Sequence, residues 1–301
     1  MTIDELNGEF GIPGSVTFEA GNNGMPKVAL KHASGATAEV YLQGAHVTSW
    51  TNAHGEEMLF LSRKSWFEPG KAIRGGIPVI FPQFGDGPLP KHGFARTSEW
   101  QITKAVEGGE DAGDYIRLEF QLTESPETMA IWPHKFDLRL SVWLTSNILC
   151  VQFSPIPAED DPFPFQAVLH TYFRVGEIER TSITGLQGVT YIDSLLNNLQ
   201  EVETRDEIRI AEEVDRIYVN AQDTVRLMDE GNGRSIDIRV RGLPDVVVWN
   251  PWIDKSKRLE DFDDDEYRNM VCIETGAIVS PWVPWGGTTN FISHALEVTD
   301  E

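Results

Sequence analysis

The feature that most constrains this chain is a recurring period of two in its apolar residues. Over 115–122, Ile116, Leu118, Phe120 and Leu122 alternate with Arg117, Glu119 and Gln121. Over 135–144, Phe136, Leu138, Leu140, Val142 and Leu144 alternate with Asp137, Arg139, Ser141 and Trp143. Successive side chains of a strand point to opposite faces, so this spacing predicts half-buried strands. Gly231-Asn232-Gly233 stands between two further alternating segments in 226–240, which predicts a hairpin. Val246-Val247-Val248-Trp249 reads as a strand covered on both faces. Long stretches with the helical period are missing; 203–218 and 260–270 are each expected to hold one short helix. With 26 Gly and 17 Pro punctuating many strands, the expected fold class is all-β, a sandwich or barrel. No linker-like stretch divides the 301 residues, so one domain over 1–301 is expected.

Charge narrows the function. The chain carries 25 Lys and Arg against 47 Asp and Glu, a net −22. A field of that sign repels nucleic acid and anionic membrane, so neither is expected as a partner. The first ten residues lack the apolar stretch of a secretion signal, and no segment has the apolar length of a membrane helix. Cys150 and Cys272 are far apart and fit no zinc spacing, so a reducing, cytoplasmic setting without a disulfide is expected. The run Glu260–Glu266 lacks the Gly and ligand spacing of a calcium loop and is expected to be solvated and remote from any chemistry.

One segment opposes the global charge. Residues 71–96 hold Lys71, Arg74, Lys91 and Arg96 against Asp86 alone, with five glycines and four prolines. Prolines fix turns and glycines admit close approach, so a structured loop that presents cations to a phosphate or carboxylate is one reading. The other is that the cations pair with the surrounding acid excess. There is no GxxxxGK[ST], hence no nucleotide signature. His92 lies in this loop. His170 lies in the apolar segment Leu169-His170-Thr171-Tyr172-Phe173, sharing a face with Val168 and Tyr172. A lone histidine there fits a satisfied core residue or a proton carrier, and spacing does not separate the two. His32, His46, His54, His134 and His294 read as structural or surface residues. Glu274 interrupts the apolar run Val271-Cys272-Ile273; burial would suit it to base work, and a strand-end position would leave it in water. Neither GxSxG nor HExxH is present.

These segments together resemble a known family. RGGIPVIFPQFGDGPLPKHGFAR (74–96), LHTYFRV (169–175), DRIY (215–218), VVWNPW (247–252) and CIE (272–274) are similar in kind and order to the hexose-6-phosphate mutarotases. Those enzymes, also called glucose-6-phosphate 1-epimerases, fall within the aldose 1-epimerase, galactose mutarotase-like group. The resemblance runs from about residue 28 to 296. It implies a large antiparallel β-supersandwich and anomer exchange of a hexose 6-phosphate without a cofactor, by a monomer. It also implies His170 as general acid and Glu274 as general base, in a pocket expected to hold them on opposite sides. By the same resemblance Arg74, Arg96 and Lys91 hold the 6-phosphate, while His92, Gln83 and Asp215 contact the sugar. Trp249 or Trp252 is expected to pack on the ring. On this view the loss of Arg74 weakens the phosphorylated sugar alone. Two rivals remain: a mutarotase of unphosphorylated aldoses, and a catalytically silent sugar-phosphate-binding module.

Overall fold

A computed structural model describes residues 1–109, 114–157, 163–242, 244–282 and 291–300. The alternating segments form strands where the period of two requires them. Tyr115–Thr123 pairs in register with Phe136–Leu144, placing Leu118 opposite Val142 and Phe120 opposite Leu140. Thr224–Asp229 and Arg234–Arg241 make the expected hairpin around the glycines. Every pairing of named strands is antiparallel, in sheets of four, eight and nine strands.

The sheets meet in one apolar core. Ala167, Leu169, Val246, Val248, Val271 and Ile273 of the eight-stranded sheet share it with Leu138, Leu140, Phe153, Ile236 and Ile238 of the nine-stranded sheet. Val28, Leu30, Ala38 and Val40 of the four-stranded sheet close it on another flank. Each such side chain contributes about 1.5–3 kcal/mol when fully buried, and this face of the eight-stranded sheet is fixed by that burial. The alternate residues of the same strands must then face away. That second face carries the site.

Three expectations from the sequence are corrected. Residues 203–218 form no helix: Ile208–Arg209 and Val214–Tyr218 are strands. Val214 and Tyr218 bury on one face while Asp215 and Ile217 take the other, so the period of two prevails over acidic helix-favouring neighbours. The second segment holds only a 3₁₀ turn, Glu266–Asn269. The acidic run is solvated only in part, with Glu260, Asp264 and Asp265 exposed. Phe262 is fully buried, and Asp261 and Glu266 are buried with it. Glu266 accepts hydrogen bonds from Ser62 Oγ at 2.7 Å, Arg63 N at 2.8 Å and Asp263 N at 2.9 Å, tying this loop to the segment that leads into Arg74. Among the described residues no helix is long and apolar enough to cross a membrane.

Candidate active site

Register assembles the site. Asp215 pairs with Trp249, Trp249 with Cys272, and Cys272 with Tyr172, one row across four strands of the eight-stranded sheet. In the next row Ile217 pairs with Val247 and Val247 with Glu274. Leu169 pairs with Thr275 and Tyr172 with Cys272, so His170 and Glu274 fall opposite each other by count. Thus the apolar burial of Leu169, Val248 and Ile273 on one face dictates that His170, Trp249 and Glu274 share the other.

This face forms the floor of a cavity of about 600 Å³, within the range of small-molecule sites. Arg74, Lys91, His92, Arg96, His170, Asp215, Trp249 and Glu274 all line it, so eight of the nine sequence-predicted residues converge there. The ninth, Gln83, stands behind the wall. Its side-chain nitrogen donates to the carbonyls of Gly85 and Leu89 at 3.3 Å, and its oxygen accepts from Leu89 N at 3.1 Å. The amide is spent on pinning the cationic loop and offers the sugar no direct contact. Trp252 packs on Tyr267 at 5.1 Å, which leaves Trp249 as the cavity's tryptophan.

His170 Nε2 lies 3.3 Å from Glu274 Oε1. The two are neighbours on one floor, not partners on opposite walls as the resemblance implied, because adjacent antiparallel strands place opposed residues side by side. Both are buried, and His170 Nδ1 and Glu274 Oε2 have no hydrogen-bond partner among the described residues. Burial, aided by neighbouring His92 and by the charges of Arg96 and Arg74, holds the imidazole's pKa well below its ordinary value. Burial and the nearby Asp215 carboxylate push Glu274 well above the usual carboxylate range, against a smaller pull from Arg96. Burial thus disfavours the charged form of each, the condition under which two such groups share one proton.

The cationic loop turns over the floor. His92 adopts φ +64°, a left-handed conformation sparse for residues other than glycine, and Gly93 follows at φ +68°. A Cβ on Gly93 would stand 2.0 Å from the Phe81 carbonyl oxygen, so only glycine lets the loop close there. His92 Nδ1 accepts from Gly85 N at 3.2 Å, which places its proton on Nε2. Burial and the cations Arg96, Lys91 and Arg74 lower this imidazole's pKa to about 3, so it stays neutral.

The cations differ in how they are balanced. Arg74 grips Asp261 in a fork, with Nε and Nη2 each donating at 3.1 Å, and its Nη1 donates to Tyr172 Oη at 3.0 Å. Burial lowers the Arg74 pKa, and Tyr172 and Asp261 more than reverse that. Lys91 reaches Asp86 at 3.2 Å on the exposed rim, and such surface pairs exchange partners at little cost. Lys255, which sequence reasoning missed, lies 3.2 Å from Glu213 and 3.5 Å from Asp215, with its ammonium 5.6 Å from the Trp249 ring centroid. Of the four cations facing the cavity, Arg96 alone has no carboxylate partner among the described residues. Its Nη2 donates to Lys91 O at 2.9 Å, and its buried Nε has no partner among the described residues. Burial leads in lowering its pKa to about 10, with Arg74 adding to that, and it remains charged near neutrality. Lys71, grouped with these cations in the sequence, instead pairs with Glu68 at 2.9 Å and lies over Trp66.

Two missed residues shape the floor. Tyr172 lies flat against His170, with ring centroids 4.7 Å apart and planes 5° from parallel. His170 falls in the break between the strands Phe165–Leu169 and Tyr172–Arg174, two residues before Tyr172, a spacing that could have flagged it. Asp261 lies 187 residues from Arg74 in sequence, and no local signal connects them. Cys272 also adjoins the pair; ligand atoms of His170, Cys272 and Glu274 lie within 4.8 Å of one another. Burial raises the pKa of both the thiol and the carboxyl, so a cation binding there would have to displace a proton from each.

Comparison with known proteins places the chain in a family and a fold. A relative from Cenchrus ciliaris, named as a candidate glucose-6-phosphate 1-epimerase, is 39% identical over 264 residues, covering 86% of this chain and 80% of its own. One from Escherichia coli with the same name is 38% identical over 242 residues, 79% of each chain. A crystal structure of a candidate mutarotase from Salmonella typhimurium superposes with a TM-score of 0.88 at 28% identity, over 97% of this chain and 96% of that one. The galactose 1-epimerase of Lactobacillus acidophilus, at 14% identity and a TM-score of 0.67 over 95% of this chain and 99% of its own, shares the fold. The model of the aldose 1-epimerase family matches residues 26–284, and the chain belongs to that family.

Proposed function

We propose that this protein interconverts the α and β anomers of a hexose 6-phosphate, glucose 6-phosphate first among them, by acid/base opening and closing of the ring. The observation that carries the reading is the His170–Glu274 pair, 3.3 Å apart on the floor of a cavity walled by the uncompensated Arg96. The hydroxyl oxygen and ring oxygen of an aldose are bonded to the same carbon. A proton acceptor and a proton donor side by side therefore suit it better than groups across a wide pocket.

Binding primes the pair by moving its single proton from Glu274 Oε1 to His170 Nε2. The Glu274 carboxylate then takes the proton of the anomeric hydroxyl while the His170 imidazolium protonates the ring oxygen. The C1–O5 bond breaks and the free aldehyde forms. Rotation about C1–C2 presents the other carbonyl face; on closure Glu274 returns its proton to the carbonyl oxygen and His170 takes one from the 5-hydroxyl. The pair holds one proton throughout, so neither solvent nor a cofactor has to supply one. Each positioned proton carrier commonly contributes about 10²–10⁴-fold.

The other residues bind and orient. Arg96 and Lys91 hold the phosphate, with Arg74 beside them already balanced by Asp261. The energy of that remote contact orients the ring for reaction. His92 Nε2–H and Asp215 meet sugar oxygens, and Trp249 offers the ring an apolar face. Gln83 acts at one remove by pinning the loop. We take the protein to act as a single-domain monomer, and two free cysteines suit the cytoplasm. An unphosphorylated aldose would leave Arg96 with no anion to meet.

Two-dimensional exchange NMR on glucose 6-phosphate tests the reading. The wild-type protein accelerates α–β exchange, and folded Glu274→Gln loses at least about a hundredfold of that. Equal exchange with both proteins would remove the pair from the chemistry.

A further inference from the structure

The catalytic imidazole is held by a chain of contacts that begins outside the cavity. Asp261 fixes the Arg74 guanidinium through two bonds of 3.1 Å, and Arg74 fixes the Tyr172 hydroxyl at 3.0 Å. Tyr172, only 2% exposed, lies flat on His170. Its ring is itself held, stacked on Phe60 at 6.4 Å and edge-on to Trp249 at 6.1 Å. Phe60 in turn packs on Phe262, the residue after Asp261, at 5.6 Å. The acidic loop thus braces one ring by a polar contact at its hydroxyl and an apolar contact along its side.

We infer that Tyr172, braced by Arg74 and Asp261, is the positioning residue of the general acid, setting the plane of His170 and lending its π face to the imidazolium when that forms. Three observations favour this over a role for Arg74 in the phosphate site alone. Arg74 spends both edges of its guanidinium on Asp261 and Tyr172. A planar, bidentate fork is the geometry that locks orientation as well as charge. And among the described rings around His170 only Tyr172 lies parallel to it; His92 and Trp249 meet it edge-on, at 68° and 82°. An aromatic face stabilises a cation above it, so Tyr172 favours the imidazolium that protonates the ring oxygen. The groups that face His170 are Glu274 and Cys272 from the Met270–Trp282 strand, His92 and Arg96 from the cationic loop, Arg74, Trp249 and Tyr172 itself. The two cations among them, Arg74 and Arg96, oppose the imidazolium, while Tyr172 and Glu274 support it.

The inference rests on the assignment of His170 as general acid, and its test separates the two. Steady-state exchange is measured for wild type, Tyr172→Phe and Tyr172→Leu on glucose 6-phosphate and on whichever free aldose the wild type turns over. Tyr172→Phe keeps the face and loses the brace; kcat falls roughly threefold on each sugar, KM for the phosphate ester stays within about twofold, and the acid limb of the pH profile stays in place. Tyr172→Leu loses the face; kcat falls roughly tenfold, and the acid limb moves to lower pH because the doubly protonated pair now gives up its imidazolium proton more readily. A raised KM with unchanged kcat in Tyr172→Phe overturns the inference and returns Arg74 and Tyr172 to phosphate binding. Should Tyr172→Leu fail to fold, the Tyr172→Phe result decides. A crystal structure of Tyr172→Phe gives a readout free of turnover: the 3.3 Å contact of His170 with Glu274 lengthens, and an unchanged imidazole refutes the brace. If wild type turns over no sugar, the functional reading fails while the crystallographic result still judges the brace.

Discussion

Replacing Arg96 by glutamine separates phosphate recognition from chemistry. Arg96 is the cavity cation with no carboxylate to offset it among the described residues, and only its Nη2 is engaged, by Lys91 O. It therefore has free donors for two charge-assisted hydrogen bonds to a phosphate, each contributing about 1.5–3 kcal/mol when well formed. Arg96 is partly exposed and Lys91 remains beside it, which puts the loss at the low end, about 2–3 kcal/mol for the two together. At about 1.4 kcal/mol per decade, KM for glucose 6-phosphate rises roughly 30- to 150-fold. Free glucose presents no anion, and its exchange rate stays within about twofold. Removing this charge also relieves some of the field opposing the His170 imidazolium, so no fall in kcat is expected. The assay is a substrate titration of the anomer exchange rate by NMR, with circular dichroism to confirm folding. Equal losses on both sugars would place Arg96 in the chemistry or the scaffold, and an unchanged KM for the phosphate ester would refute its role.

Three further outcomes are expected. Arg74→Ala does not act on the phosphorylated sugar alone, as the sequence implied. It strands the buried Asp261 carboxylate, a loss of about 3–5 kcal/mol in unfolding free energy, and it lowers turnover of both sugars; an unchanged Tm with a pure KM effect would contradict the pairing seen here. His170→Gln lowers kcat by about 10²–10⁴-fold with little change in phosphate affinity by calorimetry; a residual rate above a tenth of wild type would exclude it as the acid. The pH profile of kcat is a bell set by the single-proton state of the pair. Burial depresses the imidazole, so the acid limb, where the pair takes a second proton, lies well below the ordinary histidine value. Burial raises Glu274, so the basic limb, where the last proton leaves, lies well above the ordinary carboxylate value. A rate that climbs steadily from pH 4 to pH 9 would show that the shared proton is not required.

Much of the fold was legible because strands write their burial into a period of two. The pairs Leu118–Val142 and Phe120–Leu140 follow from alternation alone, and so does the placing of His170 on the face of Val168 and Tyr172. The cavity's membership was legible through the motifs, since eight of the nine residues they named line it. Their partners were not. Local spacing cannot show that Asp261 reaches Arg74 or that Lys255 reaches Asp215, because those contacts join strands and loops far apart in the chain. The acidic run looked solvated on composition, yet Asp261 and Glu266 are buried because each meets specific donors from the segment 62–74. Gln83 sat in the right motif but faces the loop it supports, a distinction of side-chain direction that the motif does not encode.

The central claim is that one proton shared by His170 and Glu274 opens the ring of a sugar held through its phosphate. The most direct measurement is the wild-type α–β exchange rate by NMR on glucose 6-phosphate and on glucose, at equal concentrations and a pH between the two limbs. The account predicts strong acceleration of the phosphate ester and a kcat/KM on glucose lower by at least the factor assigned to Arg96. Equal acceleration of both sugars would contradict the phosphate's role, and acceleration of neither by folded protein would contradict the catalytic pair itself.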